Sequence, residues 1–145
     1  MLNVIIMVLK SSMKKWKAEI HQLHKDMIQA HWDKNLDWFT KDIDKNYMRI
    51  KDGDIDYPTV EEIRTQFTNY LYNTTFSQYE DIMEPIIEIA DDGSIAWSLV
   101  KVKIVGKRKM DDGSIVNLDF VCAWITMYTH IDDKWIRKGE ISTFR

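Results

Sequence analysis

The stretch Ile115-Val116-Asn117-Leu118-Asp119-Phe120-Val121-Cys122-Ala123-Trp124-Ile125-Thr126-Met127-Tyr128 decides the fold class. Successive side chains of a strand point to opposite faces, so a period of two sorts this run into two sets. Val121, Ala123, Ile125 and Met127 share one face, and Phe120, Cys122, Trp124 and Tyr128 share the other. Both sets are apolar, so neither face belongs in water, and helices can cover only one of them.

Working outward, residues 79–90, 95–106 and 135–144 alternate in the same way and are expected to be strands. Asp91-Asp92-Gly93-Ser94, Met110-Asp111-Asp112-Gly113-Ser114 and Asp132-Asp133-Lys134 separate them. Asp-Gly supplies the positive φ angles that hairpin turns require. Pro85 has no N–H to donate, which places its strand at an edge or a bulge. A shorter strand pair is expected at residues 47–50 and 55–57, around a turn at 51–54.

The first part of the chain reads as helix. Leu2, Ile6, Leu9, Met13, Trp16, Ile20, Leu23 and Met27 recur at spacings of four and three, a single stripe running to about Trp32. Residues 1–12 are expected to be an extension of this helix packed on its own domain. A partner-binding arm is the alternative, and Met13 is an alternative start. The apolar run at 2–9 is too short to span a bilayer and lacks the pattern of a signal peptide. Asn35 caps a short helix from Leu36. Thr59-Val60-Glu61-Glu62 is a capping box opening a helix with Val60, Ile63, Phe67 and Leu71 on one face. Helices first and strands last make an α+β domain, a single unit over residues 1–145, with helices on one face of a curved antiparallel sheet.

The 20 Lys and Arg against 23 Asp and Glu leave a net charge of −3, which argues against a nucleic-acid surface. A single Cys122 excludes an intrachain disulfide and a cysteine-based zinc site. Asp52-x-Asp54-x-Asp56 opens like a calcium loop, but Tyr57 and Ile63 stand where glycine and glutamate are needed. His21, His24 and His31 lie on the first helix without a carboxylate-rich partner motif, so no metal site is expected. No cofactor motif and no phosphate loop occur, and a cytoplasmic protein without a membrane partner is the expectation.

The order of these motifs resembles the nuclear transport factor 2-like superfamily, which includes SnoaL-like cyclases and ketosteroid isomerase. The resemblance rests on Asn35-Leu36-Asp37-Trp38-Phe39, Tyr47-Met48-Arg49-Ile50, Thr59-Val60-Glu61-Glu62-Ile63, Asp92-Gly93-Ser94-Ile95-Ala96-Trp97 and the run from Tyr128 through Trp135-Ile136 to Ser142. It implies a cone-shaped sheet wrapped around a long N-terminal helix and two shorter ones, enclosing a pocket. It also implies homodimers through the sheet's outer face, assigned here to Phe120, Cys122, Trp124 and Tyr128. Ketosteroid-isomerase chemistry needs a carboxylate base, a Tyr and a protonated acid, which is a worked case of pKa tuning. The family pattern puts Lys51 at the place of the base, with Asp52 one residue away, Met27 at the place of the Tyr and Ile125 at the place of the acid, so that mechanism is not matched.

The family's register turns Ile136, Lys138, Glu140 and Ser142 inward with Tyr47, Arg49 and Lys51. A one-residue bulge would invert such assignments. The expected pocket residues are therefore Tyr47, Arg49, Lys138, Glu140, Ser142, Ile125, Met127 and Met27. The expected function is binding of a small apolar molecule. The alternatives are an isomerase, dehydratase or cyclase with Glu140 as acid/base, and a dimerisation module whose cone is filled by side chains.

Overall fold

A computed structural model describes all of residues 1–145. Helix α1 spans Leu2–Asp33, α2 Leu36–Thr40 and α3 Val60–Tyr72. The strands are β1 Ile43–Lys51, β2 Asp54–Asp56, β3 Thr74–Asp81, β4 Ile86–Ile89, β5 Ile95–Lys109, β6 Ile115–Ile131 and β7 Lys134–Phe144. The fold is α+β, and the seven strands form one open curved sheet in the order β2-β1-β7-β6-β5-β3, with β4 on β5. The sheet is mixed and not wholly antiparallel as expected, because β1 runs parallel to β7. The chain reaches that pairing by leaving the sheet after β2 through α3, and by returning along β3 to β6 before β7 closes on β1.

Local chemistry sets the element ends. Asn35 accepts from the Trp38 N–H to start α2, and Thr59 and Glu62 make the reciprocal capping box of α3. The single strand expected over 79–90 is two strands: Pro85 interrupts it, and β3 begins at Thr74, directly after α3. Helix α1 lies across the sheet's concave face. Ile20 is fully buried against Ala96, Tyr128 and Trp135, which is worth about 1.5–3 kcal/mol. Met27 and Ala30 join Val100, Val102, Ile104 and Trp124 in the larger core. Residues 2–11 continue the helix without packing on the domain, contrary to the expected packed extension. No helix is long and apolar enough to cross a membrane.

The two faces of β6 are the reverse of those expected. Phe120, Cys122, Trp124 and Tyr128 point to the concave side, and Cys122, Trp124 and Tyr128 are buried there. Ile125 and Met127 point away from it. Period two is equally satisfied by either choice, and the packing of α1 on Trp124 and Tyr128 decides between them. On the convex side the register joins Ile86, Leu99, Ile125, Ile141 and Ile50 into one row across five strands.

Candidate functional site

The concave face, α1, α2 and α3 enclose a cavity of about 770 Å³. Aromatic side chains from three directions make its apolar wall: Trp38 and Phe39 from α2, Phe67 from α3, and Phe120 and Trp124 from β6. Phe39 stacks on Phe67 with ring centroids 4.0 Å apart. The opposite wall is polar, because one cross-strand row of the concave face carries Asp56, Arg49, Glu140, Thr126 and Ser98 in direct register.

Glu140 is the centre of that wall. Its carboxylate takes part in no side-chain hydrogen bond and in no ion pair within 4.0 Å. Burial raises its pKa above the usual carboxylate range, although the Arg137, Arg49 and Lys51 charges act against this. Tyr47 is buried beside it. Burial, and then the Glu140 charge, push its phenol far upward, so the hydroxyl keeps its proton.

The cations of the site are committed elsewhere. Arg49 holds Asp56 through two bonds, Nε to Oδ1 at 3.0 Å and Nη2 to Oδ2 at 2.6 Å, and donates to Gln66 Oε1 at 2.9 Å. Arg137 donates from Nη2 to the carbonyls of Trp38 and Lys41, both at 2.8 Å, and lies 4.4 Å from the Trp38 ring centroid. The Lys51 ammonium sits 4.7 Å over the Phe144 ring.

The floor of the cavity is a satisfied aromatic cluster. His31 Nδ1 donates to the Met27 carbonyl at 2.8 Å, and its ring stacks on Tyr79 at 4.3 Å. Nε2 is then the acceptor for the Tyr79 hydroxyl, 3.3 Å away. Burial lowers the His31 pKa to about 4, so the ring is neutral at physiological pH. His24 bonds Asp81 at 2.7 Å. Cys122 lies in the wall, and burial pushes its thiol up to about 12, which leaves it a poor nucleophile. No group of three or more His, Cys, Asp or Glu is placed to hold a metal ion.

Of the residues expected to line a pocket, Tyr47, Arg49, Glu140, Ser142 and Met27 line this cavity. Lys138, Ile125 and Met127 do not. Ile125 and Met127 lie on the convex face for the reason given above. Lys138 is displaced by a bulge: Met127 pairs with Gly139 and Tyr128 with Arg137, so Lys138 is the unpaired extra residue. Its ammonium meets Asp44 at 3.2 Å instead. The bulge turns Arg137 inward in its place. Gly139 was the available signal, since a glycine inside a strand marks a bulge or a close approach. A Cβ there would sit 2.6 Å from the Met48 carbonyl oxygen. Thr126, Ser98 and Tyr128 were missed for the same reason that inverted β6. The outer-face dimer residues named from the sequence, Phe120, Cys122, Trp124 and Tyr128, are cavity residues and are not available to a partner.

No protein-family model matches the sequence, and no curated protein matches it. Solved structures do. An NTF2-like protein from Cytophaga hutchinsonii superposes with a TM-score of 0.68 at 15% identity, covering 88% of this chain and 96% of that one. Aln2 from a Streptomyces species gives 0.63 at 10% identity, covering 89% and 90%. The association domain of C. elegans CaMKII gives 0.59 at 11% identity, covering 91% and 98%. At these identities the likeness concerns architecture, and architecture hosts many activities. The chain has the NTF2-like fold.

Proposed function

We propose that this protein binds a small, largely apolar molecule in the cavity and holds one polar group of it at Glu140. The observation that carries this reading is an unpaired carboxylate facing about 770 Å³ of space walled by aromatic rings. Glu140 is half-buried on the cavity wall, and charges drawn out of water are normally paired, so a carboxylate held this way without a partner is a place for a ligand group. The volume is that of ordinary ligand sites, about 300–1,000 Å³. It also counts against a cone filled by its own side chains: Trp32 is 42% exposed, and Met127 is outside. Native mass spectrometry of freshly purified protein tests the reading. A retained small molecule, lost in a folded Glu140→Gln variant, supports it. Equal retention by that variant refutes the role of Glu140.

The raised pKa of Glu140 favours a second reading, an acid/base enzyme of the isomerase, dehydratase or cyclase type. The inward residues of β6 include no carboxylate that could serve as the second acid of a ketosteroid isomerase. Under this reading Glu140→Gln keeps the bound molecule and abolishes its conversion.

Self-association belongs to the same proposal. The convex row through Leu99, Ile125 and Ile141 is apolar and uncovered by any helix, and one of the similar structures is named as an association domain. A second copy on this face is the reading these two facts support.

A further inference from the structure

Residues 2–11, the first ten of α1, stand clear of the domain and are exposed. At 1.5 Å per residue they project about 15 Å. The side chains from Val4 to Leu9 are all apolar and between 42% and 69% exposed. Six consecutive helical positions, 100° apart, sample the whole circumference. A single partner helix would cover the stripe of Leu2, Ile6 and Leu9. It would leave Val4, Met7 and Val8 in water. Only a surrounding that is apolar on most sides accepts this segment.

The charges next to it are one-signed. Lys10, Lys14, Lys15 and Lys17 follow the apolar run, all exposed, and no acidic residue precedes Glu19. Lys10, Lys14 and Lys17 recur at four and three, which places them on one side of the helix. Lys15 is paired with Glu19 at 3.7 Å. The acidic residues of this end lie lower. Trp16 packs on Gly93 and against His130, so the turns bearing Asp91, Asp92, Asp132 and Asp133 sit at the base of the projection.

We propose that the projecting start of α1 docks this protein on an anionic lipid bilayer. Residues 2–9 enter the boundary between headgroups and acyl chains, and the lysines lie on the phosphates. Residues 2–9 reach about 12 Å, less than half of a hydrocarbon core of about 30 Å, which fits the boundary layer. The aspartates at the base hold the domain body off the surface. The lysine stems run along the apolar boundary with their ammonium groups in water. This inference is independent of the cavity.

Co-sedimentation of the full chain with vesicles tests it. One set contains phosphatidylcholine alone, and the other contains one part phosphatidylglycerol to about two parts phosphatidylcholine. Binding to the anionic vesicles is expected, weaker on the neutral ones. Lys10→Gln and Lys14→Gln are each expected to weaken it about fivefold. The double variant Ile5→Asp with Val8→Asp, far from the folded core, is expected to abolish it with the far-ultraviolet circular dichroism and melting temperature unchanged. Failure to bind either vesicle overturns the proposal. So does binding that survives the double variant. A protein that ignores vesicles but falls to a smaller oligomer in the double variant would assign the segment to a second copy of this chain instead.

Discussion

Arg49 and Glu140 are direct partners across the parallel β1–β7 pair, and yet the guanidinium of Arg49 turns away from Glu140 to grip Asp56. Asp56 pairs with Arg49 from the other side, on β2. The short hairpin β1–β2 therefore withdraws the cross-strand cation from the cavity carboxylate. Glu140 is left with longer-range attraction from Arg137, Arg49 and Lys51, which does not offset its burial.

Asp56→Ala should release Arg49 toward Glu140. A cation within about 4–6 Å lowers a carboxyl pKa by about one to three pH units. The Glu140 titration, followed by carbon-detected NMR, should move down by about one unit or more. An unmoved titration would mean that the Gln66 bond alone holds Arg49 away.

Glu140→Gln should leave the protein at least as stable as the parent near neutral pH. A carboxyl whose folded pKa is raised binds its proton more tightly when folded. Its contribution is full below the unfolded value of about 4.3 and is lost as pH rises through the folded value, by about 1.4 kcal/mol per unit of elevation. Melting temperatures should favour the variant at pH 7 and converge with the parent below about pH 4. A loss of about 3–5 kcal/mol at pH 7 would reveal a paired structural ion instead.

His31 should make the domain acid-sensitive in the opposite sense. Its folded pKa is about 4 against 6.5 for the free ring, so the unfolded chain takes the proton first. Stability is complete above about pH 6.5 and falls toward pH 4, by about 3 kcal/mol from this group. Urea midpoints of His31→Gln should be flatter across that window. A slope identical to the parent's would remove His31 from the account.

Ile125→Asp should disrupt self-association and leave the cavity alone, because Ile125 is central in the convex aliphatic row. Trp124→Ala should do the reverse: it enlarges the cavity, costs about 3–5 kcal/mol and leaves the oligomer intact. Sedimentation velocity with a melting curve on both variants distinguishes the faces. A monomeric parent at high concentration would end the assembly proposal.

Much of the architecture was legible because it is written in local chemistry. The capping box at Thr59, the Asn35 cap and the Asp-Gly turns are short-range devices, and each formed where the residues placed it. The Trp16, Ile20, Leu23 and Met27 stripe was legible too, since a helix of period 3.6 has only one way to bury it. Glu140 and Ser142 reached the cavity wall through simple alternation, because both lie beyond the β7 bulge on its C-terminal side, where the register is regular.

The sidedness of the sheet was decided only by tertiary structure. Alternation in β6 defines two apolar sets but carries no sign, and α1 chose Trp124 and Tyr128 over Ile125 and Met127. The exchange of Lys138 for Arg137 came from one extra residue beside Gly139, where β7 approaches the Met48 carbonyl of a strand about ninety residues earlier. The parallel β1–β7 pairing likewise joins residues whose separation in sequence says nothing of their contact, and only that pairing sets Arg49 between Glu140 and Asp56. Local patterns were enough to determine helices, turns and strand periods, because those depend on neighbours a few residues away. Which face meets the helix, and which charge meets which, depends on closing the whole sheet.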